Sequence, residues 1–402
     1  MVNKFIPKVM LTAILALFAA YCGGNQTYLK KIDQKVIPIG GLNDASGPGA
    51  AIGVYFPAGK NILAKQVNAG KLNVLPEGWT VEYIDKDHSY NPAKSVSMFK
   101  EIKDSVLFIG TSFGTPNTLP LVNMLEADKI VAFPASLSSQ MGASKYTVPL
   151  GPSYKVEAMR AVDFMVENAG SAGKVKAGIV YQQDDYGKDG LAGLKAAAEK
   201  AGVSIVAEQT IAPGQKDFGA VVKGLQDAGA THVLISVLPS ASGPLLGTAA
   251  KLGYAPVWIG STPAWVDAFF NAKVLPPAIL GNYHQLSGLP FWGEDVPGMK
   301  AFEEAFAEFG DGKKNWYTFV SYMQGLIQLQ IAAKAIESGS LTRDSYLAAL
   351  NSLDSLNLDG MIQPVNLTEV PYQTSTKVRV LKPNLGKGSW TVVSDYADPK
   401  AL

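Results

Sequence analysis

The stretch from Val106 to Met141 limits the possible folds of this chain more than any other. An apolar run, Val106 to Ile109, leads into a loop of small and hydroxyl residues, and apolar positions at helical spacing follow. A second apolar run, Ile130 to Phe133, leads into a second such loop, Pro134 to Ser139. A helix that joins two parallel strands returns the chain to the end where it started, so both loops lie at one sheet edge. Open α/β sheets bind ligands at that edge.

The same alternation of strand and helix recurs along the chain. Apolar runs typical of strands begin near residues 36, 80, 106 and 130, and again near 177, 204, 231 and 257. After these two series come segments with apolar residues at helical spacing, and these fit the uncovered face of the first unit. The tail of the chain holds two more strand-like segments. The pattern predicts two open α/β units in tandem with several crossings between them. We expect lobe 1 to comprise residues 36–152 and 283–362, and lobe 2 residues 153–282 and 363–402.

Charge and the first residues indicate an exported protein that does not bind nucleic acid. Lys plus Arg (35) nearly balances Asp plus Glu (34), and charged residues are only 17% of the chain, so the basic footprint of a nucleic-acid binder is missing. Lys4 and Lys8 precede an uncharged run, Val9 to Ala20, which is too short to span a bilayer but typical of a signal-peptide core. We expect residues 1–22 to be a signal peptide and residues 23–35 a tether.

Cys22 is the only cysteine and follows the apolar core directly. Its position resembles the lipidated cysteine of a bacterial lipoprotein, although Tyr21 stands where that signal has a small residue. Lipidation at Cys22 is therefore one prediction. A removed signal peptide in which Cys22 has no role is the other.

One local pattern favours an enzyme. Gly110 to Gly114 matches the G-x-S-x-G nucleophile elbow, between a strand and a helix as that motif requires. A hydrolase that uses Ser112 also needs a downstream histidine, and only His232 and His284 qualify. We expect His232 at the opposite edge of its sheet, and no Gly-rich oxyanion loop precedes Ser112. A secreted α/β serine hydrolase remains the alternative prediction.

Two further loops follow strands at the same sheet edges. Ser46 to Gly53 occupies the place of a dinucleotide-binding loop, but Ile52 stands at the third glycine. We interpret it as a tight turn that offers backbone amides to a small ligand. In the second unit Tyr186 follows a strand, and an aromatic side chain there offers apolar area and one hydroxyl.

Four alternating polar residues imitate a calcium-binding loop: Asp85, Asp87, Ser89 and Asn91. Tyr90 occupies the obligatory glycine, and Val96 the bidentate glutamate, so we interpret them as a solvated turn and a helix cap. We expect neither a metal nor a cofactor.

Several stretches together carry a resemblance to a known family. They are Ser46 to Gly53 (SGPGAAIG), Tyr83 to Val96 (YIDKDHSYNPAKSV), Phe108 to Met141, Gly178 to Leu194 (GIVYQQDDYGKDGLAGL), Ala212 to Phe218 (APGQKDF) and Leu252 to Gly260 (LGYAPVWIG). The chain resembles the periplasmic substrate-binding proteins of ABC transporters, in the branch that binds leucine, isoleucine, valine, amides and related compounds. The resemblance implies a type I periplasmic binding protein: two Rossmann-like lobes with parallel central sheets, joined by three hinge crossings, that close over a small molecule.

The resemblance also implies which residues bind the ligand. The family's anion-holding loops correspond to the loop that contains Ser112, Phe113, Gly114 and Thr115, and to Ala135, Ser136 and Leu137. Its aromatic residues correspond to Tyr186 and to a position near Leu238. Ser46 lies in the loop Ser46 to Gly53 and completes the predicted set. Where amino-acid binders carry an acid for the ammonium group, this chain has Thr262 and its neighbours.

These observations predict a monomeric, non-catalytic solute-binding protein that serves the membrane permease of an ABC importer. A ligand-sensing lipoprotein without a transporter is a third possibility. Because Thr262 is neutral, we expect a small carboxylate or amide with an apolar body to bind more tightly than a zwitterionic amino acid.

Overall fold

The structure is a computed structural model that describes residues 26–312, 314–356, 358–372 and 375–402. The predicted signal peptide and Cys22 lie outside the described residues. The strands, numbered in chain order, are β1 (Val36–Asn43), β2 (Thr80–Asp87), β3 (Phe108–Phe113), β4 (Ala132–Ala135), β5 (Lys176–Gln182), β6 (Ser204–Ile211), β7 (His232–Ser236), β8 (Val257–Gly260), β9 (Tyr283–Ser287), β10 (Val378–Asn384) and β11 (Ser389–Ala397).

Helices connect and cover these strands. They are α1 (Tyr28–Asp33), α2 (Ala50–Gly53), α3 (Tyr55–Asn68), α4 (Pro92–Ile102), α5 (Thr115–Thr118), α6 (Val122–Asp128), α7 (Tyr154–Ala169), α8 (Asp185–Ala201), α9 (Gly219–Asp227), α10 (Pro239–Lys251), α11 (Pro277–Leu280), α12 (Pro297–Phe309), α13 (Trp316–Glu337) and α14 (Arg343–Leu350). Among the described residues, no helix combines the length and apolar character needed to cross a bilayer.

The strands form two sheets, as the two series of apolar runs predict. The first sheet has the order β2-β1-β3-β4, and all of its strands are parallel. The second has the order β11-β10-β9-β8-β7-β5-β6, in which β10 runs antiparallel to both of its neighbours. Parallel strands joined by helices must be covered on both faces, and buried apolar side chains fill those layers in each lobe.

The chain crosses between the lobes three times: after β4, after β9 and after α14. Our predicted boundary at residue 283 is too early, because β9 pairs with β8 and belongs to the second sheet. The short helix α11 precedes β9, which begins at Tyr283.

Part of the predicted tether is folded. Residues of α1 pack on the first lobe, where Tyr28 is buried and the guanidinium of Arg343 lies 4.6 Å from its ring centroid. Thr27 adds a hydrogen bond from its hydroxyl to the Asp104 carbonyl oxygen (3.1 Å). The predicted tether is therefore part of the folded first lobe from Thr27 onward.

Close packing of two helices completes the first lobe. The helix α13, which comes after the second crossing, lies against α3. Gly59 makes this contact possible, because a Cβ atom there would lie 2.3 Å from the Thr318 carbonyl oxygen. The buried hydroxyl of Ser321 donates a hydrogen bond to the Phe56 carbonyl oxygen (2.5 Å). The first lobe is thus assembled from two separate parts of the chain.

Candidate functional site

A cavity lies between the lobes, where the carboxyl ends of both parallel sheets meet. Clefts at this edge of open α/β sheets are common sites for small molecules. Phe56, Phe113 and Val320 contribute apolar surface from the first lobe, and Leu238 and Pro263 from the second. Among the described residues that line it, none is an Asp, Glu, Lys or Arg.

Two loops of the first lobe present hydroxyl groups to this cavity. The Thr115 and Ser136 hydroxyls are buried and lie 2.7 Å apart, and the Gly114 amide donates to the Ala135 carbonyl oxygen (3.2 Å). Gly114 has φ of +86°, and a Cβ atom there would lie 2.7 Å from Asn117 Nδ2. Only glycine suits this turn without strain. The turn carries the chain from β3 into α5 and holds Thr115 at the cavity wall.

Four tyrosines surround the cavity: Tyr90, Tyr154, Tyr186 and Tyr317. Burial raises the pKa of each well above the usual value, so all four hydroxyls stay protonated at neutral pH. The rings of Tyr154 and Tyr186 pack edge to face, with centroids 4.6 Å apart. The Tyr186 hydroxyl lies 2.8 Å from Ser261 Oγ, and the Tyr317 hydroxyl donates to the Thr262 carbonyl oxygen (2.9 Å).

Thr262 lines the cavity and is tied to a buried acid behind it. Its amide donates to Glu157 Oε2 (2.9 Å), and its hydroxyl bonds the other oxygen of that carboxyl group. Burial raises the pKa of Glu157 to about 8, although the two bonds from Thr262 oppose the shift. At pH 7 this group is therefore mostly neutral and offers little countercharge to a cation in the cavity.

Asp184 is an acid near Tyr186, and its carboxylate oxygens already accept hydrogen bonds from other groups of the protein. Its Oδ2 accepts hydrogen bonds from the Tyr90 hydroxyl (3.2 Å) and from Gln182 Nε2, and its Oδ1 accepts one from the Gly187 amide (3.1 Å). Its carboxylate thus caps α8 and links the lobes rather than facing the cavity.

Most of the predicted ligand-binding residues lie together on the cavity wall. They are Phe113, Gly114, Thr115, Ala135, Ser136, Leu137, Tyr186, Leu238 and Thr262. Ser46 and Ser112 do not line it.

Ser46 is directed away from the cavity by its own loop. Its hydroxyl donates to Asp87 Oδ2 (2.6 Å) and lies 2.8 Å from Ser89 Oγ. The amides of Gly47 and Gly49, which we expected to face a ligand, instead donate to the carboxylate of Asp44 (2.5 and 2.7 Å). The loop therefore binds an acid of its own chain.

Ser112 belongs to β3 and not to a turn, so the predicted nucleophile elbow has the wrong backbone geometry. The side chain is buried, and its Oγ lies 2.7 Å from Thr118 Oγ1. His232 Nε2 is 3.1 Å from Asn168 Oδ1, and the ring of His284 packs on Phe164. Neither histidine makes a hydrogen bond with Ser112 among the described residues.

The calcium-like stretch is a turn and a cap, as we interpreted it. Asn91 accepts hydrogen bonds from the amides of Ala93 and Lys94 at the start of α4. Asp87 accepts hydrogen bonds from the amides of Ala45 and Ser89 (both 2.9 Å).

Several cavity residues were not predicted: Ile52, Phe56, Tyr90, Pro134, Leu150, Tyr154, Pro263, Leu289, Trp316, Tyr317, Val320 and Gln324. Tyr90 and Ile52 lie within stretches that carry the family resemblance, but nothing in the sequence indicates that their side chains line a ligand site. Trp316, Tyr317, Val320 and Gln324 form one face of α13, and this helix is apolar on nearly all sides, so its sequence does not reveal which face meets a ligand.

Comparison with known proteins explains this arrangement. Residues 36–388 match a family described as periplasmic binding protein. The chain belongs to this family. Membership confirms the predicted fold and implies an extracytoplasmic location for a protein that binds solutes.

Relatives within the family support the same fold. An amino acid binding protein of Pseudomonas aeruginosa is 25% identical over 325 residues, covering 78% of this chain and 82% of that protein. A fatty acid ABC transporter substrate-binding protein from Thermomonospora curvata has a TM-score of 0.85 at 25% identity, over 91% of this chain and 93% of its own. A branched-chain amino acid ABC transporter protein from Thermus thermophilus with bound valine has a TM-score of 0.80 at 18% identity, over 92% and 98%.

Proposed function

We propose that this protein captures a small carboxylate or amide with an apolar body and delivers it to the permease of an ABC importer. The observation that carries the proposal is the composition of the cavity, where Thr115 and Ser136 lie in a wall that is mostly apolar and aromatic and has no charged side chain among its described residues. Hydroxyls and backbone amides can hold a carboxylate without a full countercharge, and each charge-assisted bond contributes about 1.5 to 3 kcal/mol.

A free ammonium group fits this wall poorly. Removing it from water costs several kcal/mol unless a carboxylate or several acceptors replace the water. Glu157 lies behind Thr262 and is mostly neutral at pH 7, and the oxygens of Asp184 are already occupied. The relatives include a protein named for fatty acids as well as proteins named for amino acids, so the family accommodates both classes.

Calorimetric titration tests the ligand class. Leucine, phenylalanine and their deaminated acids, 4-methylpentanoate and 3-phenylpropanoate, would be titrated into ligand-stripped protein. We expect the acids to bind more tightly than the amino acids of similar size. Micromolar binding of leucine with no response to the acids would contradict the proposal.

Native mass spectrometry of the purified protein gives an independent check, because a tightly held solute remains bound through purification. The expected adduct has the mass of a carboxylic acid or an amide without a free amino group.

The same spectrum tests the proposed membrane anchor. A diacylglycerol mass on Cys22 would establish lipidation. Its absence from a chain purified from membranes would argue for simple removal of the signal peptide.

A further inference from the structure

Gln324 is the cavity residue that the proposed function leaves without a role. It lies on α13, is only 4% exposed, and lines the cavity. Its Oε1 has no hydrogen-bond partner among the described residues. Other buried side-chain atoms of the described residues also lack a hydrogen-bond partner. Among them, Gln324 Oε1 is the only one that belongs to a residue lining this cavity.

The location of Gln324 is at the first-lobe end of the cavity. Tyr317, on the same face of α13, reaches the second lobe through its bond to the Thr262 carbonyl oxygen. Gln324 is seven residues further along, about 10 Å along the helix axis. One turn beyond it, Gln328 donates through Nε2 to the Gly110 carbonyl oxygen of β3 (2.7 Å). Gln324 therefore lies on α13 between a residue that contacts the second lobe and a residue that contacts β3 of the first lobe.

An amide at such a position is unfavourable unless something pairs with it. A buried acceptor without a partner pays its full desolvation cost, and an aliphatic side chain of similar size would fill the same space without that cost. Phe56, Phe113 and Val320, which line the same cavity, cannot supply a hydrogen bond from their side chains. The tyrosine hydroxyls of Tyr90 and Tyr317 are bonded to other groups of the protein. Because Gln324 lines the cavity, a group that enters with a ligand can supply the missing hydrogen bond.

We infer that the ligand carries, besides its carboxylate, a neutral hydrogen-bond donor, a hydroxyl or an amide N–H, and that Gln324 accepts this bond. The inference rests on the proposed function, because it assigns a second polar group to the same ligand. It makes Gln324 a specificity-determining residue: the substrate class narrows to carboxylates with an apolar body and a second polar group that is uncharged.

The test compares three acids that differ only at the far end: 3-phenylpropanoate, 3-(4-hydroxyphenyl)propanoate and 3-(4-methoxyphenyl)propanoate. The methoxy group keeps an acceptor oxygen but has no proton to donate. Hexanoate and 6-hydroxyhexanoate repeat the comparison on an aliphatic body. We expect each hydroxylated acid to bind the wild-type protein about tenfold more tightly than its unsubstituted partner, and the methoxy acid to gain nothing.

Two matched variants on the same helix assign the effect. In Gln324→Met the preference for the hydroxyl group should disappear. In the control Gln328→Met the preference should remain, because Gln328 contacts β3 and does not line the cavity. Thermal unfolding without ligand adds a second measurement: Gln324→Met should melt no lower than the wild type, whereas Gln328→Met should melt lower because it loses a buried hydrogen bond.

The possible failures are distinguishable. If the acids bind but the wild type has no preference for a hydroxyl group, or if Gln324→Met keeps that preference, this inference is wrong and the proposed function stands. A lower melting temperature for Gln324→Met would also overturn it, because the amide would then be satisfied within the protein by an ordered water. If none of the five acids binds, the carboxylate proposal falls together with this inference.

Discussion

At the scale of single residues, Glu157 contributes to the dependence of stability on pH. Burial raises its pKa to about 8 in the folded protein, from 4.5 as the ordinary value. Between these values the folded state keeps a proton that the unfolded state releases, so stability falls as the pH rises. The slope is at most about 1.4 kcal/mol per pH unit for one proton.

The variant Glu157→Gln tests this dependence, because glutamine fits the same two bonds with Thr262 and does not titrate. We expect the variant to gain stability relative to the wild type as the pH rises from 5 to 8, by a few kcal/mol in total. Urea unfolding at several pH values measures the difference. Parallel stability curves for the two proteins would show that the carboxyl group is already ionised in the fold.

Ser112 provides a residue-scale test of the alternative function. Its hydroxyl is paired with Thr118 and buried, so we expect no covalent labelling by a fluorophosphonate and no hydrolysis of general ester substrates. Intact-mass measurement after incubation with the probe is sufficient. Stoichiometric labelling that is lost in Ser112→Ala would establish a hydrolase.

At the scale of elements, the contact between α3 and α13 depends on a missing side chain. In Gly59→Ala the new Cβ would lie 2.3 Å from the Thr318 carbonyl oxygen and 2.8 Å from Ser321 Cβ. The helices must separate, and overpacking of this kind costs about 1 to 3 kcal/mol. We expect the free energy of unfolding to fall by that amount in a urea titration.

Gly247 in α10 is the matched control, because a Cβ atom there meets nothing within 4 Å. Gly247→Ala should leave stability unchanged or raise it by up to about 1 kcal/mol through helix propensity. Equal effects of the two substitutions would mean that the contact at Gly59 is not tight.

The elements show which parts of the fold and site were predictable. Strand starts and the helices between them follow from apolar periodicity, and the strand Val257–Gly260 begins where the pattern predicts. The predicted end of β3, at Ile109, was wrong. Thr111 and Ser112 are small polar residues, so their composition favours a loop, but they belong to a fully buried parallel strand. The cavity face of α13 was unpredictable because that helix is buried on nearly every side and only the tertiary fold selects its face.

At the scale of the whole molecule, hydrogen bonds join the lobes across the cleft. Tyr90 bonds Asp184 and Gln182, and the Ser240 hydroxyl donates to the Pro48 carbonyl oxygen (2.8 Å). These bonds exist only when the lobes are together. A ligand that contacts both lobes favours the closed form for the same reason.

We expect the radius of gyration from small-angle scattering to decrease when a verified ligand binds. Saturated binding with an unchanged radius would contradict a closing cleft.

We also expect Ser240→Ala to weaken binding by about two- to tenfold, because one cross-lobe hydrogen bond is lost without any change at the cavity wall. The control is Ser338→Ala, because the Ser338 hydroxyl bonds the Ala335 carbonyl oxygen within the same segment (2.7 Å).

The two-part construction of the first lobe also affects how the chain folds as it emerges from the ribosome. Until the residues of α13 are available, the apolar face of α3 has nothing to cover it, and contacts between such distant segments form slowly. The second lobe, in contrast, has its main parallel strands complete by Ser287. The first segment to be synthesised therefore reaches its native packing only after the parallel strands of the second lobe are complete, and the second lobe in turn needs β10 and β11, the last two strands of the chain.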